Sequence, residues 1–196
     1  AFLAGAFLAG AFRAADFATN PTAQKARLRE IAQLDADRFN DLKAAEATVD
    51  RALELDPDDA DTLVLKARLL VRAGGVDGVP ALIERAERAG ARELPGVLQL
   101  VRGDGLLIAG DRDGARDAFV KATRDPEVAH KAWDRLIDLA DGTPAFVVTL
   151  EDARKATDEL KRKVSLLRKE AKARHKAGDD DGQVACFEEL LRLDPG

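Results

Sequence analysis

The sequence contains few of the side chains from which disulfides, metal centres and catalytic sites are built. Its single cysteine, Cys186, excludes an internal disulfide and a cysteine-based zinc site. Its two histidines leave few nitrogen ligands for a metal ion. Methionine and tyrosine are absent and the chain opens on Ala1, so we expect a processed form or a fragment. These shortages predict that the protein uses no cofactor and no metal.

Apolar residues are abundant, and the two signs of charge are nearly balanced. Hydrophobic residues make up 46% of the 196 residues, which is enough for one to two domains with a sizeable core. With 31 basic and 36 acidic residues, the formal net charge is -5. A mildly acidic chain has little attraction for the nucleic-acid backbone, so we expect no nucleic-acid partner.

A spacing of small, apolar and small residues recurs along helical segments of the chain. It is clearest at Ala45, Val49 and Ala52, and its first members recur at steps of 34, 36 and 68 residues. The doubled step predicts a further, weaker unit that contains Trp133. The other copies are Val79, Ile83 and Ala86, then Ala115, Phe119 and Ala122, then Gln183, Phe187 and Leu190. Twelve residues before the first member of each of the four copies stand Gln33, Ala67, Gly103 and Ala171.

This pattern resembles the tetratricopeptide (TPR) family over about residues 26 to 196. The resemblance implies an all-α fold, a right-handed solenoid of about five TPR-like helical hairpins. The array then occupies residues 21–196, after an apolar N-terminal segment at 1–20. Its units span about 26–59, 60–95, 96–129, 130–163 and 164–196.

The residues between and within the predicted helices fit such hairpins physically. Small side chains at Ala67 and Gly103 let two helices approach closely. The run 145–150 is rich in β-branched residues, which makes the start of that helix uncertain. Turn signals separate the two helices of each hairpin at Asn40-Asp41, Gly74-Gly75, Gly110-Asp111, Asp141-Gly142 and Gly178-Asp179.

The TPR resemblance implies that the first helix of each hairpin lines a concave binding groove. The predicted partner-binding residues, called here the inner-face set, are Leu34, Val64, Arg68, Val71, Val97, Leu100 and Leu107. They are mostly apolar, which is typical of an interaction surface if they are exposed and of ordinary core if the helical phase differs. A carboxylate clamp for acidic chaperone tails is not expected, because its positions hold Glu30, Leu34, Leu65, Val97 and Val101.

Charges in the last two units have a complementary arrangement. Acidic Asp134 and Asp138 stand 34 residues before basic Arg168 and Lys172. Equal phase in neighbouring repeats places opposite charges side by side, which predicts surface ion pairs or, alternatively, a site for a charged peptide.

No constellation of residues predicts catalysis. His130 and His175 are far apart in sequence and lack a nucleophile at a diagnostic spacing. Cys186 is expected to be a small core residue. The acidic run Asp179–Asp181 is expected to form a turn and cap a helix, because a calcium loop would need a carboxylate where Ala177 stands. We therefore expect the protein not to be an enzyme.

The first twenty residues have a five-residue period of phenylalanines, which spreads them around a helix axis. Such a segment is expected to be buried, either as a membrane or signal-type remnant or packed on this or a neighbouring array. We expect its apolar residues to act in anchoring or docking, with the groove around Val64, Val97 and Leu100 as one docking place. They are Phe2, Leu3, Phe7, Leu8 and Phe12.

Together these patterns predict a non-catalytic protein-protein interaction scaffold that binds a largely apolar protein segment in its groove. The alternative is a structural subunit of a membrane-associated or self-assembling complex, tethered by residues 1–20 and forming homo-oligomers. The chain ends directly after the last hairpin, so we also expect one open apolar edge there. The compartment stays open between the cytoplasm and a membrane-tethered or exported location.

Overall fold

In the computed structural model, the described residues are 20–91 and 94–193, and they fold into α-helices without a strand. The predicted all-α class is confirmed. The described part contains ten α-helices and a 3-10 turn at Val76–Gly78. The helices are α1 (Pro21–Asp37), α2 (Leu42–Leu55), α3 (Ala60–Arg72), α4 (Val79–Arg88), α5 (Leu94–Ile108), α6 (Arg112–Ala122), α7 (Ala129–Ala140), α8 (Phe146–Lys155), α9 (Leu160–Lys176) and α10 (Asp180–Leu193).

Successive helices form five hairpins, and each hairpin turn holds one residue in the left-handed region of the backbone. Glycine occupies that region without a Cβ clash, and asparagine tolerates it better than most other residues. The predicted turn pairs are confirmed, since each contains one of these residues. They are Asn40 (φ 50°), Gly74 (79°), Gly110 (85°), Gly142 (73°) and Gly178 (74°).

Aspartates directly after three of these turns cap the second helix of the hairpin. The side chains of Asp41, Asp111 and Asp179 each accept a hydrogen bond at 2.9 Å from the backbone N–H three residues further on. The capping role predicted for the acidic run at 179–181 is thus confirmed for Asp179. The β-branched run 145–150 forms the start of α8 and does not prevent a helix, and Thr149 Oγ1 donates to the Ala145 carbonyl oxygen at 2.9 Å.

The described residues from Asn20 to Asp125 form one compact unit with the first three hairpins. Within it α3 packs on α2, and α5 packs on both α3 and α4. The small residues act as predicted, because a Cβ on Gly103 would lie 2.3 Å from Cε1 of the fully buried Phe119. Buried apolar residues from all three hairpins make the core, among them Val49, Leu63, Ala67, Ile83, Leu98 and Phe119.

Residues from Pro126 to Leu193 belong to a second compact unit with the last two hairpins. One cluster of buried residues joins α7, α8 and α9 through Ile137, Leu150 and Leu166, with the half-buried Trp133 packed against it. A second cluster joins α9 and α10 through Leu167, Ala171 and Cys186. The weak unit predicted around Trp133 is therefore a genuine hairpin.

The first hairpin departs from the predicted frame by one residue. Gln33, expected at the close-packing position of α1, is exposed, whereas Ala32 is fully buried. The turn explains the shift, because the Asp41 N–H donates to the carbonyl six residues back, at Asp35. The corresponding bonds of the second, third and fifth hairpins reach five residues back, so α1 needs one more residue before its turn. These bonds are Gly75 to Leu70, Asp111 to Leu106 and Asp179 to Arg174.

Candidate functional site

Two members of the inner-face set contribute to packing between neighbouring helices. Val64 and Val71 of α3 are partly buried and pack against the core of the first unit. Val71 also lies against the α5 backbone, since a Cβ on Gly105 would be 2.7 Å from its Cγ2. Arg68, one turn from Val64 on the same helix, is exposed. Part of the set therefore holds α3 against α5.

The α5 members of the inner-face set keep part of their surface accessible. Helix α5 leaves three of them half-buried, namely Val97, Leu100 and Leu107. Leu98, the residue after Val97, is fully buried. Leu34 lies apart from them on α1, in an open depression of about 400 Å³. That depression is lined mainly by polar side chains, namely Glu30, Gln33, Asp37 and Arg38. Within the inner-face set, the apolar side chains that remain accessible beside one another thus lie on α5.

A polar cluster fixes the N-terminal half of α1 against the start of α3. The side chain of Asp59, which caps α3, accepts hydrogen bonds from Lys25 Nζ at 2.7 Å and Arg29 Nη1 at 2.6 Å. Thr62 Oγ1 donates to the same carboxylate. Burial would raise the pKa of Asp59, but these hydrogen bonds outweigh it and hold the pKa well below its usual range. Asp59 is therefore a permanently charged structural cap that sets the position of α3.

The last described helix, α10, exposes a stripe of apolar side chains. Val184, Phe187 and Leu191 follow one another at helical spacing and are 55%, 48% and 68% exposed. Phe187 and Leu191, with Leu190 and Arg168, line an open depression of about 280 Å³. We call these five residues the α9/α10 face. An open apolar edge on the last hairpin was expected from the sequence, but its residues were not identified, because the repeat frame places Phe187 in the core.

A buried carboxylate joins three helices of the second unit. Glu170 of α9 is 1% exposed and accepts hydrogen bonds from Arg154 of α8 at 3.0 Å and from Arg174 at 2.8 Å. Arg154 also donates a hydrogen bond to Glu189 of α10 at 2.9 Å, and Arg174 also donates one to Asp179 at 2.7 Å. These bonds satisfy a charge that would otherwise be costly to bury. The cluster is structural and shapes the hairpin that carries the α9/α10 face.

Cys186 lies in the core, as predicted, at 4% exposure. Burial, together with the nearby negative charge of Glu170, raises the pKa of its thiol. A thiol with a raised pKa carries little thiolate, so Cys186 is a packing residue and not a nucleophile.

The comparisons with known proteins support the fold. No family model matches the chain, and no curated protein matches it. One crystal structure of MamA is similar with a TM-score of 0.50 and 16% identity, over 82% of this chain and 93% of that one. A second MamA crystal structure gives a TM-score of 0.51 and 16% identity, over 87% and 93%. The fold is a TPR-like helical repeat. At this identity the likeness extends to the fold alone.

The other residues singled out in the sequence belong to no reactive group. Asp134 forms an ion pair between the fourth and fifth hairpins, with Arg162 at 2.7 Å, whereas the expected partner was Arg168. His130 and His175 are exposed. In the described part of the chain no group of three His, Cys, Asp or Glu side chains is placed to hold a metal.

The predicted anchoring residues, Phe2 to Phe12, lie outside the described residues. Among the helices between Pro21 and Leu193 that the structure describes, none has the length and apolar character of a membrane span. The anchoring or docking role of residues 1–20 and the formation of homo-oligomers stay predictions.

Proposed function

We propose that the chain is a member of the TPR family and a non-catalytic scaffold that binds a largely apolar protein segment on the α5 side of its first unit. The observation that supports this most is that Val97, Leu100 and Leu107, called here the α5 row, are all half-buried on α5. Rows of partly exposed aliphatic side chains on a rigid helical layer are typical of surfaces that receive a helix or an extended peptide.

The binding proposed here relies on many small contacts. Covering roughly 40 Å² of a half-buried leucine contributes about 1 kcal/mol. Three such side chains therefore give a modest affinity, which suits a scaffold whose partner is held by several contacts and released again. Arg68 is exposed on α3, the helix that packs on α5, and its charge favours a segment that contains an acidic residue.

A photocrosslinking experiment on the full chain tests this function. A benzoylphenylalanine in place of Leu100 should form an adduct with an apolar segment, identified by mass spectrometry, and Val97→Asp should abolish it. The matched control carries the same group at Val148 of α8, which is 57% exposed and lies in the other unit. Absence of an adduct at position 100, or the same adduct at position 148, would contradict the proposal.

The adduct also separates the scaffold from its alternative, a subunit of a self-assembling or membrane-associated complex. A product with the mass of one chain whose crosslink maps to residues 1–19 shows internal docking of the N-terminal segment. A product with twice the mass of the chain favours self-assembly. An adduct with a different protein supports the scaffold directly.

A further inference from the structure

The exposed stripe of α10 occupies a position that is buried elsewhere in the repeat. Phe187 stands nine residues after the left-handed turn residue Gly178, as Val49 and Ile83 stand nine after Asn40 and Gly74. Val49 and Ile83 are 0% and 5% exposed, whereas Phe187 is 48% exposed. In the first unit the next helix packs on each of those hairpins, α3 on α2 and α5 on α4. Among the described residues no helix follows α10.

Helix α10 therefore has two apolar stripes. The inward one contains Cys186, Leu190 and Leu193, which pack with α9. The outward one contains Val184, Phe187 and Leu191. Helix α9 covers the inward stripe, whereas the outward stripe, roughly 120° away around the helix axis, stays exposed and therefore calls for a second neighbour.

Charge along the α9 side of this face is of one sign. The segment Leu160–Lys176 contains eight lysines and arginines and one acidic residue, Glu170, which is buried between two arginines. Arg168 lines the depression beside Phe187, and Lys172, one turn further along α9, is exposed. On the opposite side α10 itself contributes Glu188 and Arg192, which lie 4.0 Å apart. A helix seated on the stripe would have positive charge along its α9 side.

We propose that the α9/α10 face binds an amphipathic helix of another protein, with an apolar side over Phe187 and Leu191 and an acidic flank along Arg168 and Lys172. The bound helix takes the place that the first helix of a following hairpin takes in the first unit. The apolar stripe supplies the contact area, and the positive flank selects the acidic helix and its orientation. This surface is separate from the α5 row, and its role does not rest on the function proposed above.

Two synthetic helix-stapled peptides test the proposal with the full chain. Both have leucines at helical spacing, and their flanks are glutamates in one and lysines in the other. By fluorescence anisotropy at low salt, the glutamate peptide should bind at least tenfold more tightly, and the ratio should fall as salt screens the charges. Leu191→Asp should weaken its binding at least tenfold. Lys172→Glu should reduce the preference for glutamate over lysine.

Matched controls exist in the same unit. Val148→Asp and Lys131→Glu change exposed positions on α8 and α7 and should leave both affinities unchanged. Equal binding of the two peptides, or unchanged binding to Leu191→Asp, overturns the proposal. So does a dimer of the full chain in sedimentation that Leu191→Asp dissolves, because the occupant is then a second copy. Tighter binding of a peptide of residues 1–19, lost in Leu191→Asp, also overturns it, because the occupant is then this chain's own segment.

Discussion

Removal of the Glu170 carboxylate should destabilise the second unit more than any single surface charge. Glu170 is 1% exposed, and its partners Arg154 and Arg174 have side chains that are 15% and 20% exposed. Breaking a fully buried ion pair costs roughly 3–5 kcal/mol. Here the arginines keep other partners in Glu189 and Asp179 and some contact with water. We therefore expect Glu170→Ala to lower the free energy of unfolding by about 2–3 kcal/mol.

The single tryptophan makes this measurement specific to the second unit. Trp133 packs on the core of that unit, so its fluorescence during urea unfolding reports on that unit. With a slope of about 1 kcal/mol per molar urea, the midpoint of Glu170→Ala should fall by roughly 2–3 M. The control Glu188→Ala removes a carboxylate that is 63% exposed, and its midpoint should change by less than about 0.5 M. Equal shifts in the two variants would refute the structural role of the buried cluster.

Two further predictions concern the first unit and are read by circular dichroism, since that unit contains no tryptophan. Gly103→Ala should lower the free energy of unfolding by about 1–3 kcal/mol despite the better helix propensity of alanine, because its Cβ would clash with the Phe119 ring. Adding Phe119→Leu should recover part of this loss. An unchanged stability of Gly103→Ala would contradict the close contact. Asp35→Asn should stabilise the fold by about 1 kcal/mol at pH 7, because the Asp35 carboxylate is 1% exposed and neither of its oxygens has a hydrogen-bond partner. Burial and the charge of Asp41 raise the pKa of Asp35, so the Asp35 carboxylate destabilises the fold at pH values above that pKa. The stabilisation by Asp35→Asn should therefore shrink as the pH falls through the raised pKa. A stabilisation that grows as the pH falls would contradict this explanation.

The repeat frame was readable from the sequence because close helix packing restricts residue size at fixed positions. Ala67 and Gly103 are buried where the pattern placed them, and the turn residues have the left-handed backbone that glycine and asparagine permit. The shift from Gln33 to Ala32 was not readable, because it depends on a hydrogen bond that spans six residues in the first turn and five in the second, third and fifth. Sequence spacing contains no signal for that difference.

The candidate surfaces were predicted less completely than the fold, because exposure depends on which helices follow a hairpin. Phe187 matches the frame as well as Ile83 does, and the sequence alone assigns both to the core. The structure separates them, since α5 packs on the hairpin of Ile83. The buried cluster around Glu170 was likewise missed. Its residues come together only when α8, α9 and α10 are packed against one another.

Each proposed surface lies within a single unit, so a substitution on one surface should not change binding at the other. The α5 row depends on the packing of α3 against α5, whereas the α9/α10 face depends on the Glu170 cluster and on Cys186 beneath it. Leu191→Asp should therefore leave crosslinking at position 100 unchanged, and Val97→Asp should leave binding of the acidic peptide unchanged. Loss of one activity alone would then identify the surface that failed.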